Sequence, residues 1–155
     1  MSNKDWDSNL SPEQNYVLRQ EGTESPGSSS LNNEKREGSY HCIGCGVKLF
    51  DSTTKYESGS GWPSFYKSLP EVFVEKTDMH MGYPRTEYHC KKCGGHHGHV
   101  FDDGPKPTGK RYCNNGICLV FKPKLWIFLN TYITCTTDQK FFFQKKATPC
   151  SEKIL

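Results

Sequence analysis

Residues 42–45 read Cys-Ile-Gly-Cys, and residues 90–93 read Cys-Lys-Lys-Cys. The two-residue gap in each pair lets both thiolates of a tight turn point at one ion. Together the pairs supply the soft ligands of a closed structural zinc site, formed by Cys42, Cys45, Cys90 and Cys93. The pairs are farther apart than those of an ordinary zinc ribbon. The metal is therefore expected to join two distant parts of the chain.

A rival metal site consists of Cys90, Cys93, His96 and His99. The gap between its histidines is tighter than the usual zinc-finger spacing. It would also leave the first cysteine pair without a partner. The set of four cysteines is therefore the favoured prediction.

The cysteine content bears on the compartment, because eight cysteines in a secreted chain would indicate a disulfide framework. Residues 1–14 contain no apolar run of the kind that a signal peptide needs. We therefore expect a reducing compartment, cytoplasmic or nuclear, where metal binding is favoured over disulfides. No stretch has the length of a transmembrane helix. The net charge of +3 is too small to indicate binding to nucleic acid or a membrane surface.

The pattern of residues predicts a mainly β fold with antiparallel sheets, one short N-terminal helix and the structural zinc site. Ser11 can cap a helix that has Pro12 in its first turn and ends at about Glu21. The segment 23–38 is rich in Ser, Gly and Asn and is expected to be a mobile loop. Strands are predicted at 39–42, 47–50, 72–75, 86–90, 100–101, 111–113 and 117–121. Only 34% of the residues are hydrophobic, so a metal would help a thin core to fold.

A separate cysteine, Cys113, is the candidate nucleophile. Arg111 lies two residues before it and can lower its pKa, which raises the thiolate fraction. A buried, inert cysteine on a strand is an equal alternative. Residues 96–99 place three imidazoles in four residues, and one near Cys113 could donate a proton. For His97 a solvated polar turn is the favoured interpretation. The turn from Gly61 to Phe65 could be core or the wall of an apolar pocket.

These motifs occur in an order that resembles one family, the B-type methionine sulfoxide reductases. The resemblance rests on residues 10–14, 22–24, 58–65, 96–105 and 111–115 and on both cysteine pairs. It implies a reductase domain at 10–123, an N-terminal extension at 1–9 and an unmatched tail at 124–155. The family repairs oxidised proteins, and its activity here would be reduction of methionine-R-sulfoxide in proteins or peptides.

The resemblance also implies the roles of single residues. Cys113 would attack the sulfoxide sulfur, and Arg111 would favour its thiolate. His96, His99 and Asn115 would organise the sulfoxide oxygen and its water. Trp62 would pack against the substrate methyl, and we assign Phe65 in the same segment to substrate binding. The zinc ion would be structural, and a thioredoxin-like dithiol would be the final reductant of a monomeric enzyme.

Several positions depart from the family pattern. Ser60 stands where many members have a resolving cysteine, so recycling needs another thiol: Cys118, Cys135, Cys150 or an external one. His97 replaces a usual leucine, and Cys118 replaces a small residue. The alternative function is a catalytically weak, zinc-binding interaction module. A nucleic-acid-binding zinc ribbon is disfavoured, because Lys and Arg do not cluster with aromatic residues on the cysteine loops.

Overall fold

The computed structural model of the chain describes residues 6–124. These residues contain one complete helix, nine strands and three short 3₁₀ turns, and Trp6 and Asp7 are also helical. In chain order they are α1 (Pro12–Gln20), η1 (Ser30–Asn33), β1 (Gly38–Cys42), β2 (Lys48–Asp51), η2 (Ser52–Thr54), β3 (Lys55–Tyr56), β4 (Ser64–Phe65), β5 (Phe73–Asp78), β6 (Arg85–Cys90), β7 (His96–Phe101), β8 (Arg111–Asn114), η3 (Gly116–Cys118) and β9 (Leu119–Pro123).

The strands form two antiparallel sheets. The smaller sheet has the order β2-β1-β9, and the larger has the order β3-β4-β8-β7-β6-β5. Strand β8 lies inside the larger sheet, where Cys113 pairs with Ser64 of β4 and with His99 of β7. A strand with neighbours on both sides holds its side chains in fixed positions. The candidate nucleophile is therefore carried by a rigid element.

Aromatic side chains from both sheets form the main core. Tyr40 of β1, Phe50 of β2, Phe65 of β4 and Tyr88 of β6 are each 0% exposed. The Phe50 and Phe65 rings stack with their centroids 4.0 Å apart. Large aromatic rings bury much apolar area per residue, which compensates for the small apolar fraction of the sequence.

Helix α1 begins and ends where the sequence predicts. The Ser11 hydroxyl accepts the Gln14 N–H, and the Gln14 side chain accepts the Ser11 N–H. Glu21 follows the helix in the left-handed conformation, with φ at 57°. The buried Val17 and Leu18 pack the helix against Cys118.

The predicted fold class is confirmed, with differences in single elements. The segment 23–38 contains η1, and residues 116–118 form η3 ahead of β9. The strand predicted at 100–101 begins four residues earlier, at His96. The solvated turn predicted for His97 is wrong, because β7 pairs with both β6 and β8 and buries that imidazole completely. Within residues 6–124, no helix has the length and apolar character needed to cross a membrane.

The predicted domain limits at 9/10 and 123/124 remain predictions. Of the tail, only Lys124 belongs to the described residues. The tail cysteines Cys135 and Cys150 lie outside them.

Candidate active site and metal site

Four thiols converge where the two cysteine pairs meet. The Sγ atoms of Cys42 and Cys93 lie 3.6 Å apart, as do those of Cys45 and Cys90. All four ligand atoms lie within 4.8 Å of one another. A disulfide would require a separation of about 2.05 Å. Tetrahedral zinc with 2.3 Å bonds requires about 3.8 Å between sulfurs. The cluster therefore fits a four-coordinate metal ion.

The backbone of both pairs is shaped for metal binding. Gly46 and Gly94 follow the pairs with φ at 72° and 70°, a conformation that L side chains rarely adopt. Their N–H groups donate to the carbonyls of Cys42 and Cys90, each at 2.8 Å. These bonds close the two tight turns that direct the thiols inward.

Two basic side chains lie beside this site. Arg19 of α1 donates to the Cys93 carbonyl at 2.8 Å, which ties the helix to the metal site. The His97 imidazole lies with Nε2 3.4 Å from Cys42 Sγ. Burial lowers the pKa of His97 to about 3, so the ring is neutral at neutral pH. The position where a leucine is usual thus carries a buried polar contact to a metal ligand.

The rival metal site is not assembled. His99 Nε2 lies 2.8 Å from Asp78 Oδ2 instead of joining Cys90 and Cys93. Within the described residues, the other group of donors that could hold a metal is Glu87, His89 and His96.

Cys113 opens into a small cavity of about 120 Å³. Its wall combines a thiol, an imidazole, an amide, a guanidinium and aromatic rings. The lining residues are Thr23, Trp62, Arg85, Gly98, His99, Phe101, Cys113 and Asn115. Four of the predicted site residues therefore share one cavity.

Burial and charge act in opposite directions on Cys113. Burial raises the pKa of the thiol above its ordinary value, while the Ser60 hydroxyl and the Arg111 guanidinium lower it. Ser60 Oγ lies 3.8 Å from Cys113 Sγ. Burial outweighs the influence of Arg111 that the sequence suggested. The thiol is therefore mostly protonated at neutral pH in the ligand-free site.

Arg111 is held by two further groups. It donates from Nε and Nη2 to both carboxylate oxygens of Asp103, at 2.7 and 2.8 Å. Its guanidinium carbon lies 4.3 Å from the centre of the Phe101 ring. These contacts hold the Arg111 guanidinium beside the thiol, and the Asp103 carboxylate partly neutralises the charge of that guanidinium.

His99, on the cavity wall beside the thiol, belongs to a cluster with Asp78 and Arg85. His99 pairs with Cys113 across β7 and β8. Its Nε2 contacts Asp78, which also accepts a 2.5 Å bond from Arg85. The N–H of His80 and these two side chains hold the pKa of Asp78 far below its ordinary value. A carboxylate at Nε2 holds the ring in a fixed orientation beside the thiol.

Glu24, in the loop after α1, makes hydrogen bonds to two residues that line the other side of the cavity, Trp62 and Asn115. The Glu24 carbonyl accepts the Trp62 Nε1–H at 3.1 Å, and the Glu24 N–H donates to Asn115 Oδ1 at 3.0 Å. Its carboxylate accepts the N–H groups of Gly116 and Ile117 at 2.5 and 3.0 Å. One residue thus positions an aromatic wall, an amide and the η3 turn.

Three of the predicted catalytic and substrate-binding residues do not line the cavity: Arg111, Phe65 and His96. Phe65 lies in the aromatic core, which favours the core interpretation that the sequence left open. His96 is 1% exposed and lies behind His99, with the ring centres 5.6 Å apart.

Four residues of the site were not expected from the sequence: Thr23, Asp78, Arg85 and Phe101. Asp78 and Arg85 are common surface residue types at the ends of neighbouring strands, so only the register of β5 with β6 brings them together. Thr23 and Phe101 lay within or beside recognised motifs, but no local pattern marked them as lining residues.

The chain that carries this cavity and the four-cysteine cluster is similar to known proteins. Residues 10–123 match the SelR domain. The chain is 52% identical over 122 residues to the peptide methionine sulfoxide reductase MsrB of Pseudomonas putida (strain W619), which covers 78% of this chain and 92% of that protein. It is 52% identical over 122 residues to the enzyme of the same name from Leptospira interrogans, covering 78% and 93%. The chain therefore belongs to the B-type methionine sulfoxide reductase family.

Proposed function

We propose that this protein reduces methionine-R-sulfoxide in peptides or proteins to methionine, with Cys113 as the nucleophile. The observation that carries the proposal is the single cavity that joins the Cys113 thiol to His99, Asn115 and Trp62. Family membership supports the same reaction.

The size of the cavity suits the end of a methionine sulfoxide side chain. A cavity of about 120 Å³ has room for a few heavy atoms. The methyl, the sulfur, the oxygen and the last methylene of the side chain would enter it. The peptide backbone would then remain outside, which allows substrates of different sequence.

The wall of the cavity offers a distinct place for each substituent of the sulfur. The rings of Trp62 and Phe101 suit the methyl group, while His99 and Asn115 suit the oxygen. Because the third substituent must point to solvent, only one arrangement about the chiral sulfur also presents it to Cys113. This supports selection of one epimer, which the family resemblance implies is the R-epimer.

The reaction balances with these groups. The Cys113 thiolate forms a bond to the sulfoxide sulfur, and a proton from His99 or from the thiol itself reaches the oxygen. The oxygen then passes to the Cys113 sulfur as the S–O bond and the new S–S bond break. The electron pair of the S–S bond stays on the methionine sulfur, and Cys113 becomes a sulfenic acid. The substrate sulfur gains two electrons. His96 would act on this step through the neighbouring His99, and Arg111 by stabilising the thiolate.

Regeneration of Cys113 requires an external dithiol in this proposal. Two thiols reduce the sulfenic acid to a thiol, releasing water and forming a disulfide. Ser60 is the near neighbour and cannot form a disulfide. Cys118 is 0% exposed in the cluster with Val17 and Leu18, where burial raises its pKa. A thioredoxin-like dithiol, acting on Cys113 from solvent, is therefore the favoured reductant.

We further propose that the ion at the four cysteines is zinc. Thiolate ligands in a tetrahedral set favour zinc, which has no redox chemistry of its own. Its role would be structural, because the four sulfurs leave no open coordination position for substrate.

Single-turnover kinetics with separate R- and S-sulfoxide peptides test this function. We expect one equivalent of methionine from the R-epimer, none from the S-epimer and none from the Cys113→Ser variant. Equal reduction of both epimers would contradict the proposed pocket. Absence of turnover in the native, metal-loaded protein would favour the zinc-binding interaction module.

A further inference from the structure

A buried group of donors lies behind the cavity, and none of its members lines the cavity wall. Glu87 and His89 are two residues apart on β6 and therefore face the same side of the sheet. His96 is the cross-strand partner of His89 on β7. The exposed fractions of the three residues are 7%, 5% and 1%. Both imidazoles converge on one carboxylate.

The distances within this group are short. His89 Nε2 lies 3.1 Å from Glu87 Oε1, and His96 Nδ1 lies 3.2 Å from Glu87 Oε2. None of these ring nitrogens has a hydrogen-bond partner of acceptable geometry. Buried polar atoms without partners are costly, so a missing cation or proton is indicated.

The contact made by the second ring nitrogen of His89, Nδ1, shows which of the two nitrogens carries the hydrogen. His89 Nδ1 lies 3.1 Å from the Gly94 carbonyl oxygen. A carbonyl can only accept, so Nδ1 carries the hydrogen and a neutral ring directs the lone pair of Nε2 at Glu87. Donation from the second ring nitrogen to a backbone carbonyl is also the usual arrangement of metal-binding histidines.

We propose that Glu87, His89 and His96 form a second metal site, which binds a divalent transition-metal ion such as zinc. Two imidazoles and a carboxylate are an established donor set for such ions. Tetrahedral zinc with bonds of about 2.0–2.1 Å needs donor atoms about 3.3 Å apart. The two nitrogens lie 3.1 and 3.2 Å from different oxygens of Glu87, and one donor atom from each residue lies within 4.8 Å of the others. A modest rearrangement of these side chains would therefore place three donors around one ion.

Glu21 lies between this buried group and solvent. Its carboxylate lies 3.9 Å from His89 Nε2, and its side chain is 56% exposed. It follows helix α1 in the left-handed conformation, which directs the residue toward β6. A small rotation would make it a further ligand. The second site thus has oxygen and nitrogen donors, while the first has only sulfur. The proposal does not depend on the reductase activity.

Cobalt distinguishes the two sites. The full-length protein, with its four-cysteine site filled by zinc, is titrated with Co²⁺ by calorimetry and visible spectroscopy. We expect one further equivalent, with weak d–d bands and without the strong near-ultraviolet absorption of thiolate-bound cobalt. Failure to bind a further equivalent would overturn the proposal. A thiolate absorption band would assign the ion to a cysteine such as Cys113 and would also overturn it.

Variants locate the ion. His89→Gln should weaken binding of the second equivalent at least tenfold. The matched control His80→Gln removes an exposed histidine outside the group and should leave binding unchanged. Glu21→Gln alters an exposed residue, keeps the core intact and should weaken binding several-fold. Undiminished cobalt affinity in folded His89→Gln and in Glu21→Gln would place the ion elsewhere.

Discussion

At the residue scale, the reactivity of Cys113 depends on the pKa of its thiol, which burial and the neighbouring polar groups shift in opposite directions. Burial disfavours the thiolate, while Ser60 and Arg111 favour it. Asp103 holds Arg111 in place but also opposes its effect on the thiol. Since the thiolate is the attacking species, the rate of its reactions should rise with pH through the raised pKa.

Removal of Arg111 should therefore make Cys113 less reactive at neutral pH. In Arg111→Met the pKa rises further, because the cation is lost and Asp103 is left unpaired. We expect alkylation of Cys113 by iodoacetamide at pH 7 to be about tenfold slower, equivalent to about 1.4 kcal/mol. The rate–pH profile should move to higher pH.

Arg36→Met is the matched control for that variant. Arg36 also pairs with a carboxylate, Glu34, and lies 5.3 Å from an aromatic ring centre, that of Phe121. It precedes β1 of the smaller sheet, whereas Cys113 lies on β8 of the larger sheet. An unchanged pH profile in Arg111→Met would show that Arg111 does not stabilise the thiolate.

The short distance between Ser60 and Cys113 predicts that a cysteine at position 60 can form a disulfide with Cys113. Ser60 Oγ lies 3.8 Å from Cys113 Sγ, so a cysteine at position 60 should reach it after a small rotation. One turnover of Ser60→Cys without reductant should give an internal disulfide, and thioredoxin should then reduce the enzyme faster. Mass spectrometry of alkylated peptides measures the bond.

Ser68→Cys serves as the control, since Ser68 lies beside Lys67 and Glu75 and outside the Cys113 cavity. The native protein should retain a sulfenic acid, which dimedone traps. A disulfide from Cys113 to Cys135 or Cys150 in the native protein would contradict direct reduction by an external thiol.

At the element scale, the sequence predicts what is local and misses what depends on register. The capping residues of α1 and the glycines after each cysteine pair carry their conformations in their own chemistry. The burial of His97 depends instead on pairing of β7 with both neighbours. The contact of Asp78 with His99 likewise requires β5, β6 and β7 to align. No local pattern contains that information.

The loop at Glu24 shows how one element positions two others. Its carboxylate caps η3, while its backbone holds Trp62 and Asn115. Charge-assisted hydrogen bonds contribute about 1.5–3 kcal/mol each. We expect Glu24→Ala to lower the free energy of unfolding by about 2–4 kcal/mol and to raise the KM for sulfoxide peptides.

Urea denaturation and steady-state kinetics measure these two effects. Glu24→Gln keeps one acceptor oxygen and should lose less stability than the alanine variant. Glu57→Ala, at an exposed position, is the surface control. Equal stability of Glu24→Ala and Glu57→Ala would show that the cap of η3 contributes little.

At the scale of the whole molecule, the four cysteines connect the two sheets to each other. Cys42 ends β1 of the smaller sheet, and Cys90 ends β6 of the larger one. The helix joins the same point through Arg19 and the Cys93 carbonyl. A metal ion bound here stabilises the folded state, because the unfolded chain has no preformed four-thiol site and the binding free energy is gained on folding.

This arrangement predicts that metal binding and catalysis can be separated by two cysteine-to-serine variants. Cys90→Ser should release the metal and lower stability by several kcal/mol, because a serine hydroxyl is a poor zinc ligand and the remaining thiolates lose their cation. Cys113→Ser should keep one metal equivalent at the four cysteines and the native melting temperature, yet lose all sulfoxide reduction. Metal analysis, thermal unfolding and single-turnover assays on both variants give the comparison. A metal-free Cys90→Ser protein with native stability would exclude a structural role for the ion, whereas loss of this metal in Cys113→Ser would mean that the two sites are not independent.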